Sequence, residues 1–135
     1  MPVPITALTA AISALMLLIT AIATVRQRLR LRASHGDMGD PQLIAASRSH
    51  GNLAEHAPLA VILIGVLELA RANHWALTGV AVLFLAARAS HIVGLHTTIT
   101  NGKPPLTRQF GVIGTWLAYA ALIVWTIVTV VRLNG

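Results

Sequence analysis

Hydrophobic residues along the chain fall into four long runs that are separated by short polar stretches. Each run reaches about 20 residues, the length that an α-helix needs to cross the hydrocarbon core of a bilayer. The pattern therefore predicts an all-α fold, an integral membrane four-helix bundle with up-down-up-down topology. It forms one domain over residues 1–135, with spans at about 3–25, 50–71, 75–98 and 106–131.

The composition favours the same class of protein. Hydrophobic residues make up 56% of the chain and charged residues only 10%, whereas soluble domains carry roughly 25% charged residues. The absence of cysteine excludes disulfides and a cysteine nucleophile, so any thiol must come from a substrate. The six histidines include no pair spaced i, i+4, and no metal site is predicted.

The basic residues indicate how the chain is oriented. The formal net charge is +6, and four arginines at positions 26, 28, 30 and 32 directly follow the first apolar run. Positive charge beside a span marks its cytoplasmic end, so both termini are predicted to lie outside the cytoplasm. Because the arginines cluster beside apolar runs and do not cover a soluble face, no nucleic-acid partner is expected.

The first run has an alternative interpretation as a cleaved signal peptide, since "AIA" at 21–23 resembles a cleavage site. No positive charge precedes the run, as it would in a signal peptide, so a retained helix is favoured. Two helix starts are also predicted. Asp40 before Pro41 and Asn73 before the third run are both suitable N-cap residues.

Ionisable residues within the second and third runs require an explanation, because an unpaired arginine in the bilayer costs about 2.5 kcal/mol or more. We predict an ion pair between Arg88 and Glu55 across these two helices. Reversing the charge of Glu55 should then destabilise the protein far more than reversing Glu68. The alternative is that such a pair only fixes the helix register and has no other role.

Several polar residues are predicted to gather at the cytoplasmic end of the bundle. Arg48, Asn52 and Glu55 are spaced i, i+4, i+7, which places them on one helix face. His50, His91 and Arg108 are expected at the same end. This set favours a pocket for a small charged ligand that enters from the cytoplasm.

These residues resemble a known family. "RSHGNLAEHAP" at 48–58 is similar to the Arg-x-x-x-Asn-x-x-Glu-x-x-Pro signature of the membrane-associated proteins in eicosanoid and glutathione metabolism (MAPEG). "RASHIVG" at 88–94 resembles the family's Arg-x-x-His stretch, and Arg108 after "KPPLT" resembles the arginine that begins its fourth helix. The resemblance extends over essentially the whole chain and is greatest to the small bacterial branch, which implies the bacterial inner membrane.

The resemblance implies a homotrimer that binds glutathione, as co-substrate, between neighbouring subunits. It also implies that an arginine from the end of the first helix contributes to the glutathione site. Arg26, Arg28 and Arg30 are all candidates, and Arg28 is included in the predicted site. Arg108 would steady the glutathione thiolate as the catalytic residue. The implied glutathione-binding residues are Arg28, Arg48, Asn52, Glu55, His56 and His91.

The chemistry of glutathione is compatible with such a site. Arg48 could hold a carboxylate bidentately and Glu55 the ammonium group. The guanidinium of Arg108 would lower the pKa of a thiol from about 8.5. The predicted function is a glutathione S-transferase or peroxidase in the lipid bilayer, acting on a lipophilic small molecule against apolar faces of the first and fourth helices.

Two departures from the family pattern keep other functions open. Positions where several eukaryotic members carry a tyrosine hold His56 and Leu95 here, and the leucine cannot donate a hydrogen bond. A non-catalytic binding or scaffold protein on the same fold is therefore the main alternative. A small transporter is less favoured, because the outer halves of the spans offer only Glu68 and scattered hydroxyl groups.

Overall fold

The fold is all-helical over the residues that the structure describes. The computed structural model describes residues 2–97 and 102–134. Its helices are α1 (Pro4–Leu31), α2 (Pro41–Leu69), α3 (His74–His96) and α4 (Leu106–Asn134). Each is long and apolar enough to cross a membrane, so the described residues confirm the prediction of four helices of membrane-spanning length. The end predicted for the third span, at residue 98, lies outside the described residues.

Both predicted N-caps are confirmed. The Asp40 carboxylate accepts a hydrogen bond of 2.9 Å from the Leu43 backbone N–H, and Pro41 opens α2. The Asn73 side chain accepts one of 3.0 Å from Ala76 at the start of α3. Asp40 also pairs with Arg30 at 2.7 Å, which joins the end of α1 to the start of α2. The backbone N–H of Leu43 and the Arg30 guanidinium hold the pKa of Asp40 below its ordinary value.

Helix α1 continues beyond the apolar run that predicted it. The run was expected to end near residue 25, but the helix extends to Leu31 and ends at Arg32, which has a left-handed backbone with φ of 52°. Arginine is a good helix former, so the basic stretch prolongs the helix beyond the apolar segment. The consequence is that Arg28 is held on a helix and not on a loop.

The four helices pack mainly as two close pairs, α1 with α2 and α3 with α4, and α2 then contacts both members of the second pair. Within the described residues, α1 and α4 make no close backbone contact. The core between the pairs contains Leu53, Ile64, Leu77, Phe84 and Leu122, all essentially buried. Large apolar side chains of α1 and α4 face outward, where lipid can cover them.

The inner face of α1 is polar. Thr9, Ser13 and Thr20 are buried, while Leu15 and Leu18 point outward. The hydroxyls of Thr9 and Thr20 donate to carbonyl groups one turn earlier, at 2.7 and 2.9 Å. In a bilayer, leucine gains little from burial, so small residues that allow close helix packing take the interior positions.

Helices α2 and α4 are linked beside a proline. Pro58 lies inside α2 and has no N–H, so the Ala54 carbonyl lacks its usual helical donor. Close by, the Tyr119 hydroxyl of α4 donates a hydrogen bond of 2.5 Å to the His56 carbonyl. The Tyr119 ring also meets Phe84 edge-on, with ring centroids 6.2 Å apart. Tyr119 thus stabilises the interrupted part of α2.

Glu68 near the end of α2 caps the start of α1. Its carboxylate accepts hydrogen bonds from the backbone N–H groups of Ile5 (2.9 Å) and Thr6 (2.8 Å), and from the Thr6 hydroxyl (2.6 Å). The N-cap residue of α1, Val3, supplies no side-chain cap of its own. The first backbone N–H groups of a helix have no hydrogen-bond acceptor within the helix, and they attract negative charge. The Glu68 carboxylate supplies both an acceptor and a negative charge at the start of α1.

This contact reverses one expectation from the sequence. Glu55 was predicted to be the structural carboxylate, yet it is exposed and forms no ion pair with any residue the structure describes. Glu68 holds three hydrogen bonds between two helices instead.

We therefore expect Glu68→Gln to lower the free energy of unfolding by about 1 to 2 kcal/mol, because one acceptor and the charge at the helix start are lost. Glu55→Gln, the same substitution on the same helix, is the matched control and should leave stability nearly unchanged. Thermal unfolding in detergent compares the two variants. A larger loss for Glu55→Gln would contradict the capping role.

Candidate functional site

A cavity of about 840 Å³ lies among all four helices and the loop that joins α1 to α2. We call it the charged cavity. Its volume falls within the range of roughly 300 to 1,000 Å³ that is typical of small-molecule sites. Most of its functional groups are charged or strongly polar. They are Arg28, Asp37, Ser47, Arg48, Asn52, Glu55, His91 and Arg108.

One face of α2 forms the largest wall. Arg48, Asn52 and Glu55 all line the charged cavity, as their helical spacing predicted. Gly51 lies among them and presents no side chain, so the wall is open at that point. The i, i+4, i+7 pattern thus brings a cation, an amide and a carboxylate to one surface.

Each of the other three helices contributes one predicted site residue to the charged cavity. His91 comes from α3, Arg108 from the first turns of α4, and Arg28 from the last turn of α1. The sequence left three arginines as candidates for the α1 position. Of these, Arg28 lines the cavity, while Arg30 is occupied by its pair with Asp40.

Three of the charged side chains have no partner in the described part of the chain. Arg48, Glu55 and Arg108 form no side-chain hydrogen bond and no ion pair with a described residue. Charged groups inside a membrane protein are expensive and are usually paired with one another or exposed to a water-filled cavity. These three groups are therefore available to a ligand.

The predicted ion pair between Arg88 and Glu55 is wrong. Arg88 is 3% exposed, and its Nη1 donates to the Asn52 side-chain oxygen. Its Nη2 donates to the Gly111 carbonyl of α4 at 3.0 Å. Two neutral oxygens, one on α2 and one on α4, thus accept hydrogen bonds from the terminal nitrogens of Arg88, which its long side chain can reach from α3. Glu55 instead faces the cavity.

Helices α3 and α4 approach each other unusually closely beside the cavity. A Cβ built on Gly94 would lie 2.5 Å from the Arg108 backbone nitrogen, and one built on Gly111 would lie 2.5 Å from the Cβ of His91. No residue larger than glycine fits either position without moving its neighbour. The two glycines therefore set the distance between His91 and Arg108.

Two histidines that the sequence placed near the site have other roles. His56, a predicted ligand residue, does not line the charged cavity. Its Nδ1 donates to the Asn52 carbonyl at 2.7 Å, and its ring packs edge-on against Tyr119 with centroids 6.0 Å apart. His50 shares a hydrogen bond of 3.2 Å with Thr20 of α1. Both rings stabilise contacts between helices.

The structure also places residues in the cavity that sequence reasoning missed. Asp37 comes from the loop after α1, and Ser47 comes from the first part of α2. Leu95, noted above as a departure from the family pattern, lines the same space. An acidic residue close to a basic stretch was the only signal for Asp37, because loop conformation does not follow from helical periodicity.

A second cavity of about 440 Å³ adjoins the first. We call it the apolar cavity; it is lined by Gly102, Pro104, Arg108, Gln109, Val112 and Ile113. Arg108 and Val112, one turn apart on α4, line both cavities. Arg108 thus borders both a charged cavity and a mostly hydrophobic one.

Comparisons with known proteins agree with the motifs. The sequence profile of the MAPEG family matches residues 6–128. The Inner membrane protein YecN of Escherichia coli strain K12 is 32% identical over 119 residues, which cover 88% of this chain and 87% of the relative. The protein of the same name from E. coli O6:H1 strain CFT073 matches to the same extent. The residues matched by the family profile include both cavities and parts of all four helices.

The close approach of α3 and α4 predicts that alanine destabilises the protein at one glycine of α3 but not at another. Gly94→Ala should force the Arg108 backbone away and lower the free energy of unfolding by about 1 to 3 kcal/mol. Gly79→Ala meets nothing within 4 Å and should stabilise the helix slightly, since alanine is the better helix former. Thermal unfolding of both variants tests this, and similar melting temperatures would contradict the described packing.

Proposed function

The chain belongs to the MAPEG family, and we propose that it is a membrane-bound glutathione transferase that acts on lipophilic electrophiles. The observation that carries the proposal is the charged cavity, where Arg48, Glu55 and Arg108 meet without partners among the described residues. A ligand with both anionic and cationic groups would complement such a set of charges.

Glutathione has the matching groups: two carboxylates, one ammonium group and one thiol. Arg48 would bind a carboxylate bidentately, which its planar guanidinium favours, and Arg28 would bind the other. Glu55 would accept hydrogen bonds from the ammonium group. His91 and Asn52 line the same cavity and would add polar contacts.

Arg108 would supply the chemical step. A thiol ordinarily has a pKa of about 8.5, and a nearby guanidinium in a poorly hydrated site favours the thiolate. The thiol proton would leave to water, and the sulfur would attack the electrophilic carbon. A carbon–sulfur bond forms, while the leaving group departs with its electron pair. Arg108 acts by electrostatic stabilisation without exchanging a proton.

The apolar cavity provides a place for the second substrate. Because Arg108 and Val112 line both cavities, an acceptor in the apolar one would lie next to a thiolate held at Arg108. A lipid hydroperoxide in that place would allow a peroxidase reaction as well. Two glutathione molecules would then give one disulfide, and the hydroperoxide would give an alcohol and water.

We further propose that the protein acts in the bacterial inner membrane as a homotrimer, with both termini outside the cytoplasm. The name of its relative, Inner membrane protein YecN, supports the location, and the arginines that follow the first apolar run support the orientation. The trimer comes from the family resemblance. The apolar outer faces of α1 and α4, with Leu15 and Trp116 more than half exposed, are surfaces that subunits or lipid could cover.

Leu95 favours a second candidate function, which is binding without turnover. It lines the charged cavity at a position where several eukaryotic members carry a tyrosine. A leucine contributes no hydrogen bond to a thiolate, so Arg108 is the main candidate left to activate it. In this second candidate the same site binds glutathione but leaves its thiol protonated.

The binding step predicts that the purified protein binds glutathione in titration calorimetry. Arg48→Ala should weaken binding about tenfold or more, because a charge-assisted bidentate contact is lost. Arg26→Ala is the matched control: this exposed arginine does not line the cavity and its removal should change affinity little. Absence of binding to the wild-type protein would refute the proposed function.

The chemical step predicts that bound glutathione shows thiolate absorbance at neutral pH. Arg108→Ala should raise the pKa of the bound thiol and slow conjugation to a model aryl halide about a hundredfold, since one preorganised charge is removed. Arg132→Ala, at the far end of the same helix, serves as the control. Binding without thiolate in the wild type would favour the non-catalytic candidate, and an unchanged rate in Arg108→Ala would exclude its role.

A further inference from the structure

We infer that Arg88 is a positioning residue that turns the Asn52 amide so that its NH₂ group faces the charged cavity. Asn52 then acts as a hydrogen-bond donor that selects an anionic or carbonyl oxygen on the ligand. This inference rests on the proposed function for the identity of the ligand, but the contact between Arg88 and Asn52 stands on the geometry alone.

The orientation of the amide follows from the chemistry of its partner. A guanidinium has only donors, so the atom of Asn52 that bonds to Arg88 Nη1 must be the oxygen. The amide nitrogen is then on the other side of the planar group. The reverse orientation is disfavoured, because it would set two hydrogen-bond donors against each other.

The contact is held from both sides. Arg88 is almost fully buried, and its second nitrogen donates to the Gly111 carbonyl at 3.0 Å. That carbonyl also accepts the Thr115 hydroxyl at 2.7 Å, so the acceptor belongs to a fixed turn of α4. A guanidinium bonded at two points has little freedom to rotate. It therefore restricts Asn52 to one orientation.

Asn52 lines the charged cavity, whereas Arg88 does not. The NH₂ group of Asn52 has no acceptor among the residues that the structure describes. Asn52 lies one turn after Arg48, on the same face of α2. A ligand carboxylate that reaches Arg48 would meet this second donor, while Glu55 remains the acceptor for a cationic group.

Arg88 also connects the two walls that contain the predicted ligand groups. Gly111 is one turn after Arg108 on α4, and Asn52 is one turn after Arg48 on α2. Arg88 bonds to both turns from α3. Because Arg88 reaches the ligand only through other residues, its effect on binding should depend on Asn52.

Asn52→Asp tests the orientation directly. Aspartate still offers an oxygen to Arg88, so the melting temperature should not fall. Its second oxygen would replace the NH₂ group in the cavity and would repel a carboxylate. Glutathione affinity should then fall about tenfold or more in titration calorimetry. Unchanged or tighter binding would overturn the inference, since it would mean that Asn52 presents its oxygen to the ligand.

A double-variant cycle tests whether Arg88 acts through Asn52. Arg88→Met should weaken glutathione binding in the wild-type background but not further in Asn52→Ala. A purely structural arginine would weaken binding by the same factor in both backgrounds, which would contradict a positioning role. If Arg88→Met does not fold, the comparison of Asn52→Asp with the wild type decides the matter.

The same four proteins, unfolded thermally without glutathione, separate this inference from the proposed function. If Arg88 and Asn52 are partners, the double variant should lose much less stability than the sum of the two single losses. If the wild type binds no glutathione, the proposed function fails while this cycle still decides the pairing. Additive losses would overturn the inference whatever the ligand.

Discussion

A buried guanidinium organises this end of the protein. Arg88 cannot leave its charge unsolvated between apolar helices, so it must find oxygen acceptors inside the fold. It takes one from the Asn52 side chain of α2 and one from the Gly111 carbonyl of α4. These two bonds hold three helices together. They also leave Glu55 unpaired in the described structure, which is why a carboxylate remains available in the charged cavity.

Polar and small residues also make specific contacts between the helices, as expected where lipid competes for apolar side chains. Glu68 caps α1 from another helix, and Tyr119 supports α2 beside Pro58. Gly94 and Gly111 let α3 and α4 approach until their backbones meet at the cavity. Each of these contacts positions backbone or side chains without relying on the burial of apolar surface. Together they place Arg108 opposite the face of α2 that lines the charged cavity.

The sequence predicted the features that depend on local pattern. Run length predicted the helices, capping chemistry predicted Asp40 and Asn73, and helical spacing predicted the shared face of Arg48 and Glu55. The hydrogen-bond acceptors of Arg88 could not be predicted. Which acceptors its long side chain reaches depends on how the helices are aligned along their axes, and the sequence pattern does not show that alignment. The same limit applies to the bonding of His56 and to Asp37, whose loop conformation has no periodic signal. Glu68 was expected to matter less than Glu55; its role was missed because two of its three donors are backbone N–H groups, which no sequence pattern displays.

We propose that charged side chains from separate helices form one site for a zwitterionic thiol peptide. The most direct measurement is a structure of the protein in lipid nanodiscs with glutathione, determined by electron cryomicroscopy. We expect density for the tripeptide in the charged cavity, with a carboxylate at Arg48 and the sulfur at Arg108. A cavity filled by a phospholipid headgroup, or a tripeptide bound elsewhere with Arg48 and Arg108 turned toward lipid, would contradict it.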